Sequence, residues 1–469
     1  MSTQAQSRLA VLLTSLTLGA CAVGPNYERP DLPVSENFEN AVQVDANAQW
    51  WQSLKDPSLD ALINASMEQG ATVRIAGARL LAARAARGVA QSAFWPQLNA
   101  NLSYTEYEQS LASPGALASL VQAGIAERDG EFYTSSLDAA WELDLAGGLR
   151  RQNESATAAL DAQQAQYEAT RLAIIAETAS AYFEWTGTHD RIAALQDNID
   201  SLRRSAELTS KKQAIGLAPE IDVLRADANW LGAKAQLPGL IAARKASVYR
   251  LRALTGMDID EIRTLLAKSQ RPTHSQQLAV GTPADLLMRR PDIIVAEREL
   301  AAATAAIGIA KARFFPRLRL NASFGFEAIE SSALGTSDAR NTALVPFISW
   351  PVFQGGRLRA QYNEANANAA AAAANYEQTV LNSLSEVESL LARYDANVQS
   401  TAALSAAQQS AAKAANIARK LYANGLVEFL DVLIAERSET ELADQAIVAR
   451  TQSLLTQVAL FKALGGGWE

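Results

Sequence analysis

The sequence predicts a membrane β-barrel joined to a large all-α body, built from an internally duplicated chain. Three observations carry this. The stretch GLAPEIDVLRAD at 216–227 returns as GLVEFLDVLIAE at 425–436. FWPQLNANLSY at 94–104 and DLAGGLRRQ at 144–152 likewise return, in the same order, as FFPRLRLNASFGF at 314–326 and VFQGGRLRAQ at 352–361. Each copy then holds two strand-like stretches and one very long proline-free run rich in Ala, Gln and Glu. Repetition on this scale exceeds a solenoid unit and reads as a duplicated half-protein.

Composition sets the limits. A chain of 469 residues, 49% hydrophobic, can bury a large core. A net charge of −8 without a broad basic stripe argues against nucleic-acid binding. A single cysteine, Cys21, excludes an intramolecular disulfide and a Cys-based zinc cluster. The two histidines, His189 and His274, lie far apart in the chain. Beyond the N-terminus no run of about 20 apolar residues offers a spanning helix.

The N-terminal residues 1–20 read as an export signal. Arg8 precedes a short apolar run, LAVLLTSLTLGA, which is too short to span a membrane. Leu18-Gly19-Ala20-Cys21 has the small residues that a lipoprotein signal peptidase needs. The expected mature chain begins at Cys21, S-diacylglyceryl and N-acyl modified, and residues 21–56 form a lipidated N-terminal segment. One lipid anchor leaves room for further membrane contact.

The first repeat spans 57–256, a connector 257–282, and the second repeat 283–469. Each repeat opens with a helix, at 57–93 and 283–313. Strands follow at 94–108 with 131–144, and at 314–329 with 341–353. LNANLSYTEY and LRLNASFGF alternate apolar with polar or small residues, the period of a strand. About 10 alternating residues with aromatic ends fit a membrane-spanning strand. Soluble hairpins are the other reading, but the flanking helices offer nothing else for the hairpins to pack on. Residues 109–130 and 330–340 are loops.

Next come the long helices, 149–215 and 358–424, roughly 100 Å each at 1.5 Å per residue. Val380, Leu384, Val387, Leu391, Tyr394 and Val398 have the alternating spacing of a coiled coil, as do Ile192, Leu195, Ile199 and Leu202. Small residues around the rest of 365–374 suit a helix with neighbours on both flanks. Gly216 and Gly425 end these helices, and a second helix follows each, closing near 254–256 and 464–467. Pro219 suits the first turn of such a helix. Of the tryptophans, Trp50 and Trp51 suit a core and Trp141 a membrane interface. Arg289-Arg290-Pro291-Asp292 reads as a helix cap.

Four strands form an open sheet with two bare edges. Bare edges cannot face lipid, because their N–H and C=O groups would go unpaired. Other copies must close the sheet, and two, three or four copies all give an even count.

CAVGPNYERP at 21–30, Trp50-Trp51, DPSLDALI at 56–63, RRPDI at 289–293, the two tip motifs and ALGGGW at 463–468 resemble the TolC-type outer membrane factors. The branch of NodT-type efflux lipoproteins and OprM-like channels is the most similar. The resemblance covers essentially the whole mature chain. It implies a homotrimer: a 12-stranded β-barrel in the outer membrane, continued by a 12-helix α-barrel in the periplasm. It implies a periplasmic adaptor and an inner-membrane pump, usually of the resistance-nodulation-division class. The chain would be a passive exit duct for small molecules, not an enzyme, with no cofactor beyond its covalent lipid. The paired turns would be the adaptor-contacting tips, at Gly216, Leu217, Gly425 and Leu426. By motif position Asp222, Tyr422, Leu430, Asp431 and Arg437 match gate residues, Asp222 bonding across to the second coil and Tyr422 sharing the latch. Val427 departs from relatives with arginine there, and Ile434 from those with a second acid, which implies a weaker latch and a less acidic aperture.

Each role has a plainer counterpart. Asp222 and Asp431 suit a helix first turn, favoured by its dipole. Tyr422 suits coil packing and Arg437 an i,i+4 surface pair. A structural lipoprotein tethering the outer membrane is the rival function, with a type I secretion duct as a variant. The tether leaves the strand hairpins and the duplicated tips unexplained. No phosphate loop, dinucleotide fingerprint or metal motif is present in the sequence.

Overall fold

The computed structural model describes residues 22–33, 35, 38, 49–108, 110–112, 119–121, 123–125, 127–269 and 283–466. The signal 1–20, Cys21, most of 34–48 and the connector residues 270–282 with His274 lie outside the described residues. No helix among the described residues is long and apolar enough to cross a membrane.

The expected first helix is two: α1, Pro57–Glu68, and α2, Ala71–Ser92. The reason is Gly70, where a Cβ would lie 2.2 Å from the Ser66 carbonyl oxygen and 2.8 Å from that of Leu254. Backbone approaches this closely only at glycine. Asp56 caps α1, its side chain accepting from Ser58 N, with Pro57 pre-set for the first turn. Strands β1, Gln97–Glu108, and β2, Asp129–Leu143, come next. Then follow α3, Gly148–Ala214, α4, Glu220–Thr255, and α5, Ile259–Leu266. The second half repeats the plan. It holds α6, Pro283–Arg289, α7, Pro291–Ala312, β3, Arg317–Ala328, β4, Arg340–Ser349, α8, Arg357–Ala423, and α9, Phe429–Ala463. β1 and β3 start three residues later than expected and β4 stops four residues earlier, because the aromatic residues Phe94-Trp95, Phe314-Phe315 and Trp350 to Phe353 stay outside the ladder. β2 and β4 instead begin two residues and one residue before the expected limits. Both long helices have 67 residues, about 100 Å.

The chain forms two compact units that cut across the repeats. One unit joins Ala82–Asp161 and Glu297–Ala374 with the described residues before Asp31. The other joins Asp31–Leu81, Ala162–Ala296 and Asn375–Glu469. The boundaries fall inside α2, α3, α7 and α8.

In the first unit the strands make one antiparallel sheet in the order β1-β2-β3-β4. Each hairpin pairs within its own half, and β2 pairs β3 across the duplication, with Trp141 opposite Leu320 and Leu143 opposite Leu318. Opposed residues share a face. One face therefore carries Leu98, Leu102, Leu137, Trp141, Leu318, Leu320, Phe324, Leu344 and Ile348. The other carries Asn99, Asn101, Ser136, Asp138, Glu142, Arg319 and Ser323. This second face also carries apolar residues: Phe132 of β2, opposite Thr105, and Val345 and Phe347 of β4. The duplication persists at single-bond resolution. Trp141 Nε1 donates to Phe94 O at 2.9 Å, and Trp350 Nε1 donates to Phe314 O at 3.0 Å.

The residues after Cys21 are docked in the same unit. Val23 N donates to Ala146 O at 3.1 Å. The buried Arg151 donates to Val23 O, Gly24 O and Asn26 Oδ1. Gly24, at φ 101°, lies so close to α7 that a Cβ would meet Gly308 Cα at 2.5 Å. Tyr27 closes the dock by donating its hydroxyl to Glu297 at 2.7 Å.

In the second unit Trp50 and Trp51 are buried, as expected, and Trp50 stacks on Phe461 at 4.7 Å. Tyr182 donates to the buried Asp56; burial, and then that carboxylate, push the phenol above its usual range. Arg290 ties three elements, donating to Asp292 of α7, Glu386 of α8 and Ala463 O of α9. Burial opposes its charge, but the two carboxylates outweigh it and hold the guanidinium above its ordinary range.

The coil seam follows the expected spacing through Val380, Val387 and Leu391, which are buried, with Leu384 and Tyr394 half-buried. Val398 departs from the expectation and is exposed. A straight helix drifts about 20° per heptad from a strict 3.5 repeat, so the apolar stripe rotates out by that point. Leu195, Leu202 and Ala233 form the matching α3–α4 seam, with Ile199 and Trp230 against it.

Candidate functional site at the paired helix turns

The two turns, α3 to α4 and α8 to α9, lie in the second unit and are built alike. Gly216 and Gly425 take φ of 79° and 75°, the left-handed region where only glycine is unstrained. Gly216 N donates to Gln213 O, and Leu217 N reaches back to Lys212 O at 2.8 Å. Gly425 N donates to Tyr422 O, and Leu426 N reaches back to Leu421 O at 2.9 Å. The long six-to-one bond with glycine inside it is a Schellman closure. Pro219 and Glu428 are the residues before the new helices, so Pro219 sits one place earlier than expected.

Each predicted residue now has a place. Leu217 and Leu426 are 71% and 69% exposed, leaving an apolar point on both turns. Asp222 and Asp431 lie in the first turns of α4 and α9. Asp222 is 3.8 Å from Arg225 of its own helix, and Asp431 is exposed. Leu430 and Ile434 are exposed apolar residues of α9. Arg437 is exposed and lines a groove of about 1010 Å³ that also takes in Arg191, Gly232, Arg419 and Glu439.

Tyr422 is buried in a small core with Ala206, Ala226, Phe429 and Val432. Its ring lies 5.5 Å from that of Phe429, and Lys212 Nζ sits 4.0 Å above it. Lys212 also donates to Tyr422 O at 2.5 Å, while the Tyr422 hydroxyl lies 3.5 Å from Thr209 Oγ1. The described contacts of Tyr422 thus bind α8 to α3 and α9. Asp222 is described against Arg225 instead.

One buried group escaped the sequence reading. Glu436 is 1% exposed. It accepts from Ser205 Oγ of α3 at 2.6 Å and from Arg419 Nε of α8 at 3.0 Å. Arg419 also donates to Glu439. Burial pushes the Glu436 carboxyl above its ordinary range, against the opposing pull of Ser205 and Arg419. Burial likewise raises Glu439, which Arg419 opposes. The signal was available: Phe429, Val432 and Glu436 share one helical face, and the third is an acid in an apolar row. Farther along the α3–α9 seam, Arg191 pairs with Asp444 at 2.6 Å and Arg450 with Asp190.

The geometry matches known proteins over almost the whole chain. The family described as "Outer membrane efflux protein" matches residues 62–257 and 282–466, one segment in each half. Outer membrane protein OprJ of Pseudomonas aeruginosa is 32% identical, over 98% of this chain and 96% of that protein. Nodulation protein T of Rhizobium leguminosarum bv. trifolii is 31% identical, over 93% of this chain and 92% of that one. The solved outer-membrane channel OprN superposes with a TM-score of 0.87 at 33% identity, covering 96% of this chain and all of that one. The open state of the Neisseria gonorrhoeae MtrE outer membrane channel gives 0.84 at 27% identity, covering 96% and 99%. Duplication, sheet, helix turns and relatives agree: the chain belongs to the outer membrane efflux protein family, channels of the outer membrane.

Proposed function

We propose that three copies close into a 12-stranded barrel continued by a 12-helix tube, forming the passive exit duct of a tripartite efflux system. The observation that carries this is the sheet. It has one apolar and one polar face, and β1 and β4 end it as edges within the chain. In lipid, edge N–H and C=O groups must be paired, so further copies complete the ring. Small exposed residues along α8 then meet neighbouring copies, in keeping with a helical wall.

The exposed Leu217 and Leu426 suit apolar contact with a periplasmic adaptor. An inner-membrane pump, of the resistance-nodulation-division class in this reading, supplies the energy. Cys21 carries the lipid, and the dock of residues 22–27 on Arg151 supports this by giving the chain after Cys21 a built seat. The helix turns act as an iris, with Asp222, Tyr422, Leu430, Asp431 and Arg437 at the gate. The packed Tyr422 core is the element with two arrangements, and adaptor binding shifts its balance.

Single-channel conductance of the purified lipidated protein in a planar bilayer tests the duct. A small flickering conductance that rises in Asp222→Ala/Tyr422→Phe supports a pore gated at the turns. Equal, wide conductance in both proteins removes those residues from the gate. No conductance after verified insertion favours the tether. Disulfides between cysteines placed at the second turn should lock efflux off, and unchanged drug resistance with the lock verified would end the iris.

A further inference from the structure

The polar face of the sheet holds an asymmetry of charge. Arg319 and Glu142, opposite each other in register, pair at 3.1 Å and cancel. Arg317, opposite Ser349, is a cation on the same face, two residues farther from Ser323 along β3. Glu327 lies toward the other end of β3, opposite Thr134. Between these levels stands Asp138. Its carboxylate accepts from Asn101 Nδ2 at 2.7 Å on β1 and from Ser136 Oγ at 2.8 Å on its own strand. Ser323, its register partner on β3, also hydrogen-bonds it. All three donors are neutral. They orient the carboxylate without cancelling its charge.

Distance preserves that charge. Asp138 is about 13 Å along the strand from Glu142 in one direction and from Thr134 in the other. The Debye length is about 10 Å at 0.1 M salt, so the Arg319 pair and Glu327 are largely screened from it. An apolar outer face requires the polar face to line the water-filled interior of a closed barrel.

We propose that Asp138 is a charge-selectivity residue of the channel, favouring cations and cationic solutes over anions in the barrel. This rests on the duct reading above, under which three copies place three such carboxylates in one lumen. Asp138 belongs to the unit that holds the sheet, and the residues at the helix turns belong to the other.

The test is the reversal potential of the full lipidated protein in planar bilayers under a potassium chloride gradient. Asp138→Asn keeps an acceptor for Asn101 and Ser136 while removing the charge. Ser323→Lys keeps Asp138 and neutralises it from the facing strand. Heat-modifiable migration verifies the barrel in each. The wild type is expected to prefer cations at 0.1 M. Both variants should conduct with the reversal potential shifted toward zero. The difference should vanish at 1 M, where the Debye length is about 3 Å. Variants that conduct at the wild-type potential overturn the proposal, as does an anion-preferring wild type. A shift found only in Asp431→Asn assigns selectivity to the helix turns instead. A correctly inserted wild type that does not conduct removes the duct reading and this proposal with it.

Discussion

Gly216 and Gly425 show how much one residue can decide. Nothing lies within 4 Å of a Cβ added at either, so a side chain meets no clash there. The cost of Gly425→Ala is backbone strain alone, about 1–2 kcal/mol for the left-handed region. Hydrogen exchange should show faster opening of the α8–α9 turn, with α3 and the sheet unchanged. Glu436 makes a second prediction with a definite sign. Its folded carboxyl lies above the ordinary value of 4.5. Its protonated form is therefore the one the packed state favours. The contribution is complete below 4.5 and is lost as pH rises through the raised value. Melting temperature of the purified protein in detergent should fall over that window in the wild type. Glu436→Gln, which keeps an oxygen for Ser205 and Arg419, should flatten the fall. A wild-type melting temperature that is flat across the window would refute this.

At the scale of elements, the seams between helices carry the load. A Cβ at Gly187 of α3 would meet Thr451 Oγ1 of α9 at 2.2 Å, and the Thr451 Cβ at 3.1 Å. A threonine is too short to swing aside, so Gly187→Val should cost about 1–3 kcal/mol by forcing α3 and α9 apart. Denaturant unfolding of the detergent-solubilised protein reads it. Tyr422 separates ring from hydroxyl. Its hydroxyl contact, at 3.5 Å, is at the limit of a hydrogen bond. Tyr422→Phe should therefore change stability little, whereas Tyr422→Ala leaves Phe429 and Val432 around a cavity and costs about 3–5 kcal/mol. Equal losses in the two variants would move the weight from ring to hydroxyl. The N-terminal dock is equally specific: Gly308→Val drives a side chain into Arg151 and Val23 O. Limited proteolysis should then cut residues 22–30 faster.

For the whole molecule, the sheet and the helices make different demands. The sheet must meet lipid on one face and water on the other. The helices must bury one seam within the chain and keep small residues elsewhere. Under the proposed closure further copies satisfy the surfaces that both leave, and neither sheet nor helices set the number of copies. Heat-modifiable migration with native mass of the trimer, in detergent, is the expected result. A monodisperse monomer with a formed sheet would contradict the closure argument.

Local pattern made much of this legible in advance. Strand alternation, the proline-free runs and glycine at each turn act over a few residues, so four strands, two long helices and two matched turns were readable within a few positions. The break at Gly70 was not, because its cause is the Leu254 carbonyl on a distant helix. Tertiary structure alone decided that β2 pairs β3 across the duplication, and that the compact units divide both repeats. It alone brought Glu436 to Ser205 and Tyr422 to Thr209 and Lys212, partners more than two hundred residues away. A repeat specifies what each half can form by itself. Which halves meet, and which buried charge finds a partner, depends on packing between segments that share no local pattern.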